Sequence, residues 1–191
     1  MEVNKKTIFI KDWILSYVNS MPKKAESLVI GISGGIDSSV SSTLSAMTGL
    51  KTIVLTMPIK QKENQHDLSL KHQDWLVKKF NNVEAYTLNL NKLFDTFSST
   101  LNKFNNEHGF ANSRARLRMT TLYQVAAANN GIVVGTGNKV EDFGVGFYTK
   151  YGDGGVDISP IADCNKSEVW ELGKELGIIK EIIDAPPTDG L

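Results

Sequence analysis

Apolar side chains recur at helical spacing near the start of the chain, at Ile10, Trp13, Ile14, Tyr17, Val18 and Met21, and Pro22 closes the segment. A 3.6-residue period puts them on one face, which predicts an amphipathic helix capping a core. The pattern then changes. Short apolar or β-branched runs bounded by turn residues follow at "SLVIGI", "KTIVLTMP" (51–58), "VEAYTL" (83–88) and "GIVVGTG" (131–137), and read as strands. Helical stripes lie between and after them: Leu68, His72, Trp75, Leu76 and Phe80; then Leu93, Phe94, Phe97, Leu101 and Phe104; then "RARLRMTTLYQVAAANN"; then "SEVWELGKELG", ended by Gly177. Strands alternating with helices imply βαβ units, hence an α/β fold in three layers: a parallel sheet with helices on both faces and right-handed crossovers. Such a sheet binds ligands beyond the carboxyl ends of its strands, where the strand order reverses. Three loops leave strand ends with distinctive chemistry, after Ile32, after Met57 and after Val134.

Composition narrows the possibilities. With 191 residues, 41% hydrophobic, and no repeat or low-complexity linker, residues 1–191 are expected to form one domain. Lys+Arg and Asp+Glu both number 21, and no like-charge block forms a basic arm, so nucleic acid and anionic membranes are not expected partners. Charges at Lys5, Lys6, Lys11 and Asp12 interrupt the N-terminal apolar stretch, so neither a signal peptide nor a membrane span is expected, and the location is expected to be cytoplasmic. The single cysteine, Cys164, cannot form an internal disulfide and reads as a small buried or half-buried side chain. His66, His72 and His108 are too scattered for a zinc site.

The run Gly31-Ile32-Ser33-Gly34-Gly35-Ile36-Asp37-Ser38 sits where the first strand hands over to a helix. Two adjacent glycines there imply a positive φ or a close approach of another group, and the free amides and positive helix end make an anion site. The run lacks both the Lys-Ser/Thr ending of a Walker A loop and the GxGxxG of a dinucleotide fold. It resembles instead the pyrophosphate loop of the ATP pyrophosphatases, enzymes of adenine nucleotide α-hydrolase-like, Rossmann-related fold that cleave ATP between the α and β phosphates. The resemblance implies that residues 31–38 bind ATP, with Ser33 and Ser38 on the leaving pyrophosphate and Asp37 on Mg²⁺.

The second half sharpens the likeness. "ARLRM", "GTGNKVED", "GFYTKYGDGGVDISPIADCNKSEVWELGKELGI" and "APPTDGL" resemble the ammonia-dependent NAD synthetases, which adenylate the carboxylate of deamido-NAD⁺ with ATP and let ammonia displace AMP. By that resemblance Glu141 is a second Mg²⁺ ligand, Thr136, Lys166 and Thr188 contact ATP, and Arg116, Lys150 and Asp157 contact deamido-NAD⁺. Arg114, Arg116 and Arg118 alternate, which on a helix sets Arg116 roughly opposite the other two, and these are expected to be salt-bridged or surface residues. Asp153 or Asp157 is a candidate acceptor for the ammonia proton. The family also implies a homodimer, with which the stripes starting at Leu93 and Leu117 are compatible.

Two departures stand out. Between Glu141 and Phe147 the chain carries about one residue more than the family pattern. Relatives also continue past "PPTDGL" through an acidic segment and a helix to a basic tail at the dinucleotide, so the C-terminal segment is expected to be missing, and ATP and Mg²⁺ binding is expected to survive better than deamido-NAD⁺ binding. Two rival readings exist: another ATP pyrophosphatase, amidating or thiolating a different substrate, and a non-catalytic nucleotide-binding dimer. Thiolation of tRNA calls for paired or nucleophilic cysteines and a basic face, both absent. Intact Ser33, Asp37, Glu141 and Lys166 argue against a decayed site.

Overall fold

The computed structural model of the protein describes residues 2–60 and 63–185, without the side chains of 63–65. Four parallel strands, β1 (Ser27–Gly31), β2 (Lys51–Thr56), β3 (Val83–Thr87) and β4 (Gly131–Val133), lie in the order β3-β2-β1-β4. Their register pairs Val29 with Ile53 and Val133, and Val54 with Ala85. The helices are α1 (Val3–Ser20), α2 (Ile36–Met47), α3 (Glu63–Lys79), α4 (Asn91–Thr100), α5 (Glu107–Ala128), α6 (Lys166–Glu175) and the short α7 (Lys180–Ile183).

Strand alternation assigns the two faces. Leu28, Ile30, Val54, Ile132 and Val134 point into the larger core with α1, α2, α6 and Leu76 of α3. Val29, Ile53, Leu55 and Val133 point the other way, toward Leu122, Tyr123, Val125 and Ala126 of α5. The three layers expected from the sequence are therefore present. The chain builds outward from β1 through β2 to β3, then returns to the opposite side of β1 for β4, so the order reverses between β1 and β4. The loops leaving those two strands consequently face one crevice.

Three local outcomes depart from the hydrophobic pattern. The stripe from Leu93 to Phe104 does not form one helix: α4 stops at Thr100 and a 3₁₀ turn takes Asn102–Phe104. Only Phe94 of that stripe is buried, and Phe104 is 78% exposed. The strand read at 131–137 ends at Val133, because Gly135 leaves the sheet under an incoming segment. A Cβ on Gly135 would lie 2.8 Å from Val156 Cγ2 and 3.2 Å from the Ile158 carbonyl oxygen, while Val134 bridges Ile158 in parallel. Lastly, α2 is rich in serine yet buried almost all round, against the sheet, α1, α3 and α6. Most of its hydroxyls turn back onto carbonyls of the preceding turn, as Ser45 does to Ser41 at 2.8 Å, while Ser42 also meets His72 of α3 and the buried Ser41 hydroxyl has no partner among the described residues.

Candidate active site

The loop after β1 takes the form its glycines allow. Gly34 has φ +89°, in the left-handed region, whereas Gly35 is extended with φ −85°. Only the first glycine is required by the backbone; a Cβ on the second would meet nothing nearer than Ser33 Oγ at 3.4 Å. Ser33 and Ser38 brace the turn, with their hydroxyl oxygens 3.1 Å apart, the Ser33 amide donating to Ser38 Oγ and the Gly35 amide donating to Ser33 Oγ. Among the described residues the amides of Gly34, Ile36, Asp37 and Ser38 have no acceptor in the chain, and they sit at the positive end of α2. Ile32 and Ile36 are core residues, so they offer the site only their backbones. Gly31 lies at the strand end, where a Cβ would press on Met57 Cε at 3.3 Å.

Asp37, in the first turn of α2, meets residues from two distant segments. Its Oδ2 is 2.5 Å from Lys166 Nζ, and the same ammonium is 2.7 Å from Glu141 Oε1. Lys166 is the first residue of α6, where Asn165 and Glu168 form a reciprocal capping box. Lys6 of α1 bonds Glu168 in turn, and Gly173 lets α6 press close on Ile36. Burial lowers the Lys166 pKa, but its bonds to Asp37 and Glu141 more than offset that, and the net direction is up.

Glu141 stands on a π-helical turn, Lys139–Val145. The turn closes where the amide of left-handed Gly146 (φ +73°) donates to the Glu141 carbonyl. Asn138 caps its other end, accepting from the amides of Val140 and Glu141 at 3.0 and 3.1 Å while donating from Nδ2 to Asp37 Oδ1 at 2.9 Å. It is fully buried. The sequence reading did not single out Asn138; the signal present was an asparagine three residues before a glutamate after a strand, an N-cap pattern.

A cavity of about 180 Å³ opens beside this cluster, lined in part by Gly135, Gly137, Asp142, Tyr148, Asp153 and Ser159. Burial, then the charges of Asp153, Glu141 and Asp37, pushes the Asp142 carboxyl up to about 6. Asp153 Oδ1 accepts from the Thr149 amide at 2.9 Å.

The remaining sequence candidates are dispersed. Thr136 is half-buried in the loop after β4. Thr188 lies outside the described residues. Asp157 has both oxygens engaged within the chain, Oδ2 by the Val133 amide at 2.7 Å and Oδ1 by the Tyr123 hydroxyl at 3.0 Å. Lys150 is exposed, its ammonium 5.1 Å from the Tyr151 ring centroid, and the structure does not bring it onto the Asp37–Lys166–Glu141 cluster. Arg116 is exposed on α5, as the helical alternation requires. Its neighbours correct the expectation of salt-bridged or surface arginines. Arg118 is half-buried and donates from Nε to the Met57 carbonyl beyond β2 at 3.0 Å, its pKa drawn down to about 10 by burial and by Arg114. Arg114 lies 5.7 Å from the Phe94 ring centroid.

A parallel sheet with a glycine-serine turn at its reversal point, and a lysine shared by two carboxylates beside it, defines an adenine nucleotide α-hydrolase-type α/β domain. The chain belongs to the NAD synthase family, whose model matches residues 7–191. It is 36% identical to the NH₃-dependent NAD⁺ synthetase of Sulfurisphaera tokodaii, an alignment covering 100% of this chain and 66% of that protein. Against the NH₃-dependent NAD⁺ synthetase of Thermoplasma volcanium it is 40% identical over 85% of this chain and 66% of the relative. The chain thus spans just under two thirds of the length of these curated relatives. Among solved structures it is similar to NMN synthetase from Francisella tularensis, with a TM-score of 0.92 at 35% identity over 100% of this chain and 77% of the other. It is also similar to NH₃-dependent NAD synthetase from Campylobacter jejuni, with a TM-score of 0.85 at 30% identity over 96% and 77%.

Proposed function

We propose that the chain is the catalytic unit of an ammonia-dependent NAD synthetase, a ligase that uses ATP to amidate the nicotinate carboxylate of deamido-NAD⁺. The observation that carries this reading is the Asp37–Lys166–Glu141 arrangement beside the Ser33–Ser38 turn. Adenylation brings one anion, the carboxylate, onto the α phosphorus of another, and expels pyrophosphate. Free amides at the head of α2, the hydroxyls of Ser33 and Ser38, and the Lys166 ammonium are the groups suited to take that charge. Thr136 and Thr188 complete the ATP contacts in this reading, and Arg116, Lys150 and Asp157 those to deamido-NAD⁺.

Asp37 and Glu141 suit Mg²⁺. Both are hard oxygen donors brought together at one ammonium, so Asp37 and Glu141 would hold Mg²⁺, which commonly takes one or two carboxylates with phosphate oxygens for the rest. When bound, the ion neutralises phosphate charge as pyrophosphate leaves.

In the second half-reaction the ammonia nitrogen attacks the carbonyl carbon of the acyl adenylate, the acyl C–O bond breaks with its electron pair leaving on the phosphate oxygen of AMP, and the nitrogen sheds a proton. Asp153 is the acceptor we assign, since it lines the cavity while both oxygens of Asp157 are engaged. The functional form in this reading is a cytoplasmic homodimer supplied with free ammonia. Exposed Leu93 and half-buried Leu117 supply apolar surface for association, and no helix among the described residues is long and apolar enough to cross a membrane.

A second reading concerns the acid alone: likeness to an NMN synthetase at 35% identity makes the nicotinate mononucleotide the alternative substrate of the same chemistry. Incubation of the chain with ATP, Mg²⁺ and ammonium, alone and with each acid in turn, tests both. The expected result is AMP and pyrophosphate in equal amounts only with an acid present, and faster with deamido-NAD⁺. Faster turnover of the mononucleotide selects the second reading. Tight ATP binding with no turnover of either acid overturns both in favour of a binding module.

A further inference from the structure

We propose that Asn138 is a positioning residue that sets the relation between Asp37 and Glu141, and through it the affinity of the site for a divalent cation. The inference rests on the ATP- and Mg²⁺-dependent reading above, and it concerns a side chain given no part in that chemistry.

Asn138 is fully buried, a costly place for an amide unless its polar atoms are matched. They are matched by the two segments that carry the carboxylates. Nδ2 donates to Asp37 Oδ1, so the carboxylate plane of Asp37 is fixed and Oδ2 is the oxygen left to face Lys166 and Glu141. Oδ1 accepts the Val140 and Glu141 amides, which fixes the first turn of the π-helix and therefore the root of the Glu141 side chain. The neighbouring Lys139 amide donates to the carbonyl of Cys164 at 3.0 Å, tying the same point of the chain to the segment just before Lys166. One buried amide thus joins α2 to the loop after β4, positions 101 residues apart in sequence. Groups that orient metal-binding carboxylates without touching the metal commonly change affinity by about 10- to 100-fold when replaced.

The two halves of the amide can be separated. Asn138→Asp keeps an oxygen for the π-helix amides but loses the donor to Asp37 and sets a like charge against it. Asn138→Ser keeps a capping hydroxyl but is too short to bridge to Asp37. Mn²⁺ serves as the probe, titrated by calorimetry and by electron paramagnetic resonance of the free ion, into protein saturated with a non-hydrolysable ATP analogue. Nucleotide binding without metal and the melting temperature are read in parallel. The expected result is at least about a tenfold loss of Mn²⁺ affinity in both variants, with metal-free nucleotide binding held within about twofold. If Asn138→Asp does not fold, Asn138→Ser carries the test. Mn²⁺ affinity within twofold of the unmodified protein in a folded variant overturns the proposal and leaves the functional reading standing. Absence of metal-dependent nucleotide binding in the unmodified protein overturns both.

Discussion

Lys166 and Asp37, 129 residues apart in sequence, meet at 2.5 Å, and the same lysine reaches Glu141 at 2.7 Å. The ammonium holds together two carboxylates that would otherwise repel. Replacing Lys166 by Ala leaves them facing each other with Asp37 only 17% exposed. We expect a loss of about 1–2 kcal/mol, less than for a fully buried pair because Glu141 is 43% exposed. Thermal melts check it: the deficit should shrink when Mg²⁺ is added, and a variant as stable as the parent without Mg²⁺ would show that the lysine is not the countercharge.

The dinucleotide contact proposed for Asp157 competes with a structural duty. As a dinucleotide contact, its loss should raise the KM for the acid substrate and leave stability alone. The bonds to the Val133 amide and the Tyr123 hydroxyl add a structural duty, and burial together with Asp157 pushes the Tyr123 phenol up to about 12, so it stays a donor. Asp157→Ala is therefore expected to cost about 1–3 kcal/mol by orphaning the Val133 amide, while Asp157→Asn retains an acceptor and most of the stability. Equal melting temperatures for all three proteins would contradict this.

His72 lies fully buried under α2, its Nε2 3.0 Å from Ser42 Oγ and its ring stacked on Trp75 at 5.4 Å. Burial draws its pKa from 6.5 to about 4, against a weaker upward pull from the Ser39 backbone. The unfolded chain then binds the proton more readily, so this contribution is intact above pH 6.5 and is lost as the pH falls toward 4, by at most about 3 kcal/mol. The raised carboxyl of Asp142 acts in the opposite sense as the pH drops through about 6, so the difference from a His72→Leu variant is the quantity to measure. Denaturation of both proteins between pH 7 and 4 should show the variant with the smaller acid loss; parallel curves would exclude His72.

Cys164 is 4% exposed and burial pushes its thiol up, so it offers little thiolate. Its contact near the site is a backbone carbonyl that accepts from Lys139, which alanine preserves. Cys164→Ala should keep turnover within about twofold and cost about 1 kcal/mol from the small void. Rapid alkylation of the folded parent by iodoacetamide, or loss of turnover in a folded variant, would refute this.

The parallel sheet and the Ser-Gly-Gly turn were legible because each is written locally, in runs of β-branched residues and in a motif contiguous along the chain. Asp37, Glu141 and Lys166 were reached only through family resemblance, since nothing in their own neighbourhoods announces that they converge. Asn138 escaped notice for a related reason: asparagine after a strand is common, and what distinguishes this one is a partner on another element. Arg114 and Arg118 misled because helical spacing tells which residues share a face but not what that face meets, here the Phe94 ring and the Met57 carbonyl. At α4, apolar periodicity ran on past the point where the backbone turned, and Phe104 at the end of the stripe is left exposed.

The serine-lined burial of α2 has a mechanical consequence. A helix enclosed by the sheet and three other helices, with most of its hydroxyls bonded to its own carbonyls, has little room to tilt or breathe, so its amides should be among the slowest in the molecule to exchange with deuterium. The turn to which the proposed function assigns the phosphates is mounted on that rigid post. The opposite jaw is a short π-turn continuing into exposed Phe147, Tyr148 and Tyr151. Under the proposed function, adjustment to different acids would therefore fall to one side of the crevice, and the size of acid accepted would be a property of the compliant wall rather than of the glycine turn.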